Sequence, residues 1–343
     1  MPTPSGPAPA QLSPRATAAR DEAQVDTTTS PGSGSLPPPR PAKPLGRRIL
    51  DHKWLYLMFA PVAIYYVIFQ YWPIVLSWIV AFKDVKLGKG ILGSDWVGWE
   101  NFTEIFGDPE LINVFSNTVE ISLLRLVFGF FPPIILAIMF HDMTTKLFKK
   151  VSQTIVYIPH FFSWVIVYGI VFALISTGPG LINNVIDMLG FPRVEFLLSE
   201  GWFRPILIAS GVWKEIGWST IIYLAALSTI SNELYEAAAI DGAGPLQRIR
   251  HITIPSILPV ITFVLTINLG FILFAGGEQI LVFYNSAVYD TADVIDTWVY
   301  REGLGRMQFS IGTAMGLLQS AIGLVLVLTF NAVAKRLTGR GIW

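Results

Sequence analysis

The stretch Ser231-Asn232-Glu233-Leu234-Tyr235-Glu236-Ala237-Ala238-Ala239-Ile240-Asp241-Gly242-Ala243-Gly244-Pro245-Leu246-Gln247-Arg248-Ile249-Arg250-His251-Ile252-Thr253-Ile254-Pro255 lies between two long apolar runs. It is too polar to cross a bilayer and too regular for a linker. Ser231 or Asn232 can cap a short helix, and Glu233 and Glu236 sit where carboxylates suit the helix dipole. Asp241-Gly242 supplies a stop, because glycine accepts the left-handed conformation that ends many helices. Pro245 is placed to open a second turn or helix. Leu246, Ile249 and Ile252 recur at helical spacing, so the second limb has an apolar face. Pro255 is expected to bend the chain into the next apolar run. The product is a helical elbow with three small alanines exposed on one limb. A helix lying among lipid headgroups is the plainer alternative, but it would carry a basic face and bulky anchors. Glu236, Ala237-Ala238-Ala239 and Asp241 are neither. Docking to another protein fits the stretch better.

The flanking runs identify the solvent. Of 343 residues, 52% are apolar and 14% charged, whereas a soluble domain carries about 25% charged residues. Mean hydropathy is +0.55. Apolar runs of about 20 residues, enough to cross a bilayer, recur along the chain. We expect an all-α, polytopic membrane protein with about six transmembrane helices, over 54–82, 117–140, 152–176, 204–229, 256–282 and 311–334. Pro61 and Pro73 interrupt the first, and Pro132-Pro133 predicts a kink in the second. The absence of cysteine excludes disulfides, a thiol nucleophile and Cys-bound zinc or iron–sulfur. His52, His141, His160 and His251 are scattered without metal-ligand spacing, so neither a metal nor a cofactor is expected. A net charge of zero leaves no basic stripe for nucleic acid.

Residues 1–46 are a different kind of polymer, rich in Pro, Ala, Ser and Thr, and read as a disordered cytoplasmic tail. They lack the apolar core of a cleavable signal peptide. Residues 47–112 are expected to hold the first span and an outer loop. A core of five spans, including the loop 231–255, occupies 113–334, and 335–343 form a C-terminal tail. Basic clusters at Arg47-Arg48-Lys53, Lys146-Lys149-Lys150, Arg248-Arg250 and Lys335-Arg336-Arg340 fall on one side of six alternating spans. The positive-inside rule puts that side, and both termini, in the cytoplasm. Lys83, Lys86 and Lys89, in the first outer loop, weaken the asymmetry.

The run Glu236-Ala237-Ala238-Ala239-Ile240-Asp241-Gly242-Ala243, followed by Ile252 and Pro255, closely resembles the EAA loop of permease subunits of bacterial ATP-binding-cassette (ABC) importers. The resemblance is surest from Asn113 to Lys335. Trp54-Leu55-Tyr56-Leu57-Met58, Ala81-Phe82-Lys83-Asp84, Gly90 to Phe102, and Asp293 to Arg301 are similar to the carbohydrate and complex-polysaccharide permeases of that family. The long Pro-rich tail is a departure. The resemblance implies a type I importer permease fold and a coupling helix that sits in a cleft of a cytoplasmic ATPase dimer. It also implies a second, different permease subunit, an extracellular solute-binding protein, and a bacterial cell membrane as the site. Glu236 would then orient the elbow, Ala237 and Ala238 give close approach, and Gly242 supply the turn. No GxxxxGK[ST] run occurs, so ATP would be hydrolysed on a partner and the chain itself is a transport subunit, not an enzyme.

Polar groups inside the spans are functional candidates, since an ionisable side chain at mid-bilayer costs about 2.5–3.5 kcal/mol. Arg125 could snorkel or pair with a carboxylate such as Glu120 or Glu278, and a structural ion pair is favoured over a substrate contact. In the fourth span Trp213, Lys214, Glu215 and Trp218 cluster near the middle, with Lys214 and Trp218 on one face. Asn268 and Gln319 reach similar depth. Together these six fit a sugar-binding path, with indoles for stacking. Hydrogen-bonded glue between helices fits each of them individually. Trp96, Trp99, Trp202 and Trp298 read as an interfacial belt, and Gly178-Pro179-Gly180 with Asn183-Asn184 as a re-entrant turn or an outer contact.

Two other classes compete with the carbohydrate-importer reading. An ATPase-independent secondary transporter of a polar solute would leave the elbow unexplained, and no internal repeat of the kind common in that class is visible. A polytopic enzyme would need clustered acids or a metal. Asp290, Asp293 and Asp296 have regular spacing, but they read better as part of a solvated helical segment.

Overall fold

The structure is a computed structural model in which residues 52–338 are described. The expected tail over 1–46, and residues 339–343, lie outside the described residues. The chain separates into two units, one ending at Val62 and one beginning at Ala63. The described part of the first is the start of a single helix, without a buried residue.

Four helices are long and apolar enough to cross a membrane: Lys53–Ala81, Pro109–Asp142, Pro245–Gly270 and Phe309–Val333. A fifth candidate is the pair Lys146–Phe161 and Trp164–Ile175, bent by 107° at its break. Glu200–Leu227 stands where a further span is expected and has 28 residues, about 42 Å of helix at 1.5 Å per residue. Arg204, Lys214 and Glu215 make it less apolar than the others. The described helices therefore give four spans on apolarity, or five with the bent pair.

Four expected features change. The third span, expected over 152–176, is broken. Pro159, which lacks an N–H, sits in a 3₁₀ turn over Ile158–Phe161. Ser163 then starts the second limb in an extended conformation, its side chain accepting from the Ile166 amide. The fifth, expected over 256–282, stops at Gly270, and a separate short helix follows at Gly277–Phe283. The apolar run through Phe271 and Phe274 conceals this break, although Gly276-Gly277 marks it. The expected bend at Pro255 is absent as well. The helix runs unbroken from Pro245 to Gly270, and a π turn over Ile249–Thr253 precedes the proline. The second helix begins at Pro109, earlier than the 113 boundary, and continues through Pro132-Pro133.

Within the unit from Ala63 onward, apolar side chains meet in three clusters. One joins Phe130, Ile134 and Ala137 to Tyr223, Leu227 and Ile257. A second joins Ile121 and Val167 to Leu207, Ile280 and Phe283. The third gathers Ala81, Phe102, Val114, Ala314 and Met315 around Trp298. Trp298 is thus a core residue and not part of an interfacial belt.

Lipid is as apolar as leucine, so helices in membranes associate through close packing and hydrogen bonds. Glycine makes that closeness possible here. A Cβ on Gly217 would lie 2.2 Å from the Val156 carbonyl oxygen, and one on Gly323 would lie 2.7 Å from that of Gly270.

The loops are held by buried polar side chains. Lys83–Asp84 pairs antiparallel with Asp95–Trp96, and Asn101 donates to the carbonyls of Ala81 and Lys83 at 2.8 and 3.1 Å. Asn183 is fully buried, donating to the carbonyls of Ile175, Ser176 and Val194 and accepting from the Val194 amide. That segment is a self-organised loop around one amide. The buried Asp293 and Thr297 and the half-buried Arg301 form another group, with Arg301 at 2.7 Å from Asp293 and 3.0 Å from Glu302. Burial opposes the Arg301 charge, yet bonds to Asp293 and Glu302 hold the guanidinium above its usual range.

Candidate functional site: a surface elbow and a membrane-depth cavity

The elbow forms for local reasons. Ser231 accepts from the Glu233 amide at 3.2 Å and opens the helix Asn232–Ile240. Gly242 closes it with φ +79°. The Ala243 amide returns to the Ala238 carbonyl at 2.8 Å and the Gly242 amide to Ala239 at 3.1 Å, a Schellman closure that needs a left-handed residue. The Gly244 amide donates to the Gln247 side chain at 2.8 Å, and Arg248 Nε donates to the Ala243 carbonyl at 3.0 Å. Tyr235 Oη meets the buried Thr253 hydroxyl at 3.0 Å, tying the first limb to the start of the next span.

Glu236, Ala237, Asp241 and Gly242 are exposed; Ala238, Ala243 and Ile252 are half-buried. Pro255 is exposed, in the first turn of the segment Ile254–Gly270. Ile240 and Leu246, both C-terminal to the three alanines, are 87% and 78% exposed. The elbow therefore presents small residues together with two bare apolar side chains. Of the apolar face expected from Leu246, Ile249 and Ile252, Leu246 is exposed and the other two are half-buried.

A cavity of about 370 Å³ opens between the Pro109–Asp142, Glu200–Leu227 and Pro245–Gly270 helices, with Trp164 in its wall. Of the six residues expected along a substrate path, Glu215 and Asn268 line it. The other four are engaged elsewhere. Lys214 is buried and donates to the His160 carbonyl and to Glu215, both at 2.9 Å, with Trp164 beneath its ammonium at 5.1 Å. His160 Nδ1 lies 2.8 Å from Glu215, and Trp218 stacks on the imidazole at 4.5 Å and 4°. Gln319 is buried and donates to the Leu273 carbonyl at 2.6 Å and to Asp296 at 3.3 Å. Trp213 lies beside Phe162. Lys214 and Gln319 thus satisfy carbonyls freed where two helices break, which lipid would leave unpaired.

The cavity also holds residues that the one-dimensional reading passed over. Gly211, Ser219 and Tyr223 line it at four-residue intervals with the expected Glu215, as do Ser122 and Gly129 on either side of Arg125. That helical spacing was the available signal. Arg125 does not pair with Glu120 or Glu278 as expected. Its guanidinium bonds the Gln279 side chain, Glu120 pairs with Arg204, and Glu278 is exposed.

The chain is thus almost wholly helical, with a hydrogen-bonded elbow leading into one long apolar helix and a cavity walled by three helices. Residues 129–339 match the family described as binding-protein-dependent transport system inner membrane component, and the chain belongs to it. It is a multi-pass permease subunit of an ABC importer, and the permease family is one of transport subunits. It is 42% identical over 298 residues to the polygalacturonan/rhamnogalacturonan transport system permease protein YteP of Bacillus subtilis (strain 168), covering 86% of this chain and 92% of that one. It is 30% identical to the arabinooligosaccharides transport system permease protein AraP of the same strain, covering 88% and 95%. A solved chain from a bacterial alginate ABC transporter, in complex with an alginate pentasaccharide-bound periplasmic protein, superposes with a TM-score of 0.80. It is 41% identical and covers 87% of this chain and 99% of that chain.

Proposed function

We propose that this permease lines, with a second and different permease subunit, the path of an oligosaccharide delivered by an extracellular solute-binding protein. A cytoplasmic ATPase dimer docks on the elbow 231–255 and hydrolyses the ATP, and both termini of the permease are cytoplasmic. The elbow carries the coupling reading, because its alanines and two bare apolar side chains face outward on a rigid, hydrogen-bonded turn. To couple, those contacts must differ in free energy between the two states of the ATPase. Glu236 orients the elbow through charge-assisted contacts, Ala237 and Ala238 allow close approach, and Gly242 holds the angle.

The substrate reading draws on the relatives' names. Polygalacturonan, rhamnogalacturonan and alginate are acidic polymers, and they belong to relatives at 41–42% identity. The arabinooligosaccharide relative is 30% identical. An acidic oligosaccharide is therefore the substrate class we assign. Affinity purification from the native membrane, with mass spectrometry of the companions, tests the assembly. A P-loop ATPase and a second permease are expected. A homodimer moving solute in liposomes without ATP overturns it in favour of a secondary transporter.

A further inference from the structure

The cations that stand in or against the spans differ in one respect. Arg204 pairs with Glu120, Lys214 with Glu215, and Arg301 with Asp293 and Glu302. Arg125 has no carboxylate within ion-pair distance among the described residues; its one bond is to the neutral Gln279 side chain. Its Nε is buried and has no hydrogen-bond partner. The charges of Asp296 and Glu215 act on the guanidinium only from beyond ion-pair distance, and ionisable residues so placed in a span mark ion and substrate paths.

The surroundings are built to hold the guanidinium there. Gln279 is fully buried, and its amide nitrogen donates to the Leu207 carbonyl at 2.8 Å and to Ser210 Oγ at 2.9 Å. Those bonds leave its oxygen facing Arg125. On the other side lies Gly276, with φ +79°; a Cβ there would be 2.2 Å from Arg125 Nη1. Only glycine meets both the conformational and the spatial demand. Glu215, the one acidic side chain in the cavity wall, is engaged by Lys214 and His160. Trp164 and Tyr223 add aromatic wall.

We infer that Arg125 is the carboxylate-binding residue of the translocation path, supplying the counter-charge for a uronate unit, with Gln279 as its positioning residue and Gly276 as its cradle. This rests on the acidic-oligosaccharide reading above. Arginine suits the task, because its planar fork meets a carboxylate with two parallel hydrogen bonds. The hydrogen bond already made to Gln279 fixes the fork before the saccharide arrives.

The test uses the whole importer in proteoliposomes, with its solute-binding protein in excess, and labelled trigalacturonate or its methyl ester as cargo. Variant-to-wild-type ratios for each cargo cancel any preference of the binding protein. Arg125→Gln is expected to lower trigalacturonate uptake about 10-fold or more, the usual scale for a charged hydrogen bond. The ester should fall far less, and Arg125→Lys should recover much of the loss on the acid. Gly276→Ala is expected to follow Arg125→Gln in the same direction. Equal loss on both cargoes without rescue by Lys makes Arg125 a structural residue and overturns the inference. So does wild-type behaviour of Arg125→Gln on the acid. A wild-type importer that moves the ester but never the acid overturns the acidic-substrate reading, and this role falls with it.

Discussion

Replacing Gly242 isolates a backbone effect from a steric one, because a Cβ at this position meets no heavy atom within 4 Å. The residue stands at φ +79°, where an L-residue costs about 1–2 kcal/mol. The turn is held by the Ala243 and Gly242 amides and by the Ser231 cap. Each of these contributes about 0.5–1.5 kcal/mol net, so the closure has a few kcal/mol in hand. Gly242→Ala therefore weakens the elbow without abolishing it, and ATP-driven uptake should fall several-fold. Gly242→Asn should fall between glycine and alanine, since asparagine tolerates the left-handed region. Gly242→Pro locks φ near −65° and removes the amide that reaches Ala239, so the closure is lost and uptake should drop to background. Membrane insertion should be preserved throughout, measured by the amount of chain recovered from washed membranes. Co-purification of the ATPase should follow the same order as uptake. Wild-type transport by Gly242→Pro would refute the coupling role of the elbow, and equal effects of Ala and Pro would refute the conformational argument.

Four further outcomes follow from the packing. Ala238→Trp should leave the elbow helix folded, as judged by amide exchange, yet abolish both ATPase co-purification and uptake, because bulk replaces a small side chain where close approach is needed. Asn183→Ala strips four hydrogen bonds from a fully buried loop and should destabilise the detergent-solubilised protein by about 2–4 kcal/mol, given that orphaned buried carbonyls cost about 1–3 kcal/mol. A drop in thermal midpoint reads it, and an unchanged midpoint contradicts the loop assignment. Gly217→Leu drives a side chain into the Val156 carbonyl and should lower the midpoint far more than Gly129→Ala, whose Cβ meets nothing. Tyr235→Phe removes the bond to Thr253, worth about 0.5–1.5 kcal/mol, and should reduce uptake modestly while accelerating amide exchange in the elbow.

Local chemistry was legible in one dimension wherever its causes are local. Ser231, Asp241-Gly242 and Pro245 punctuate the elbow within a few residues of the bonds they make, and the structure adds the side-chain bonds of Gln247 and Arg248 and the tie from Tyr235 to Thr253. The membrane-spanning class followed equally directly, since apolar length is a property of contiguous residues. The cavity was less accessible. Lys214, Trp218 and Gln319 look like a sugar site by residue type, but they occupy carbonyls or an imidazole at breaks in other helices. Those breaks were hidden because Phe161-Phe162 and Phe271 to Phe274 continue an apolar run across them. Arg125 shows the converse error, a lone charge assigned to a nearby carboxylate that a second arginine had already taken.

Sequence alone determined that this chain is a helical membrane permease with a helical elbow over 231–255, because burial in lipid and helix termination depend on residues adjacent in the chain. Only the tertiary structure decided which polar side chains face a cavity and which repair broken backbone. A buried donor's role depends on which acceptor lies within about 3 Å, and that acceptor is often more than fifty residues away.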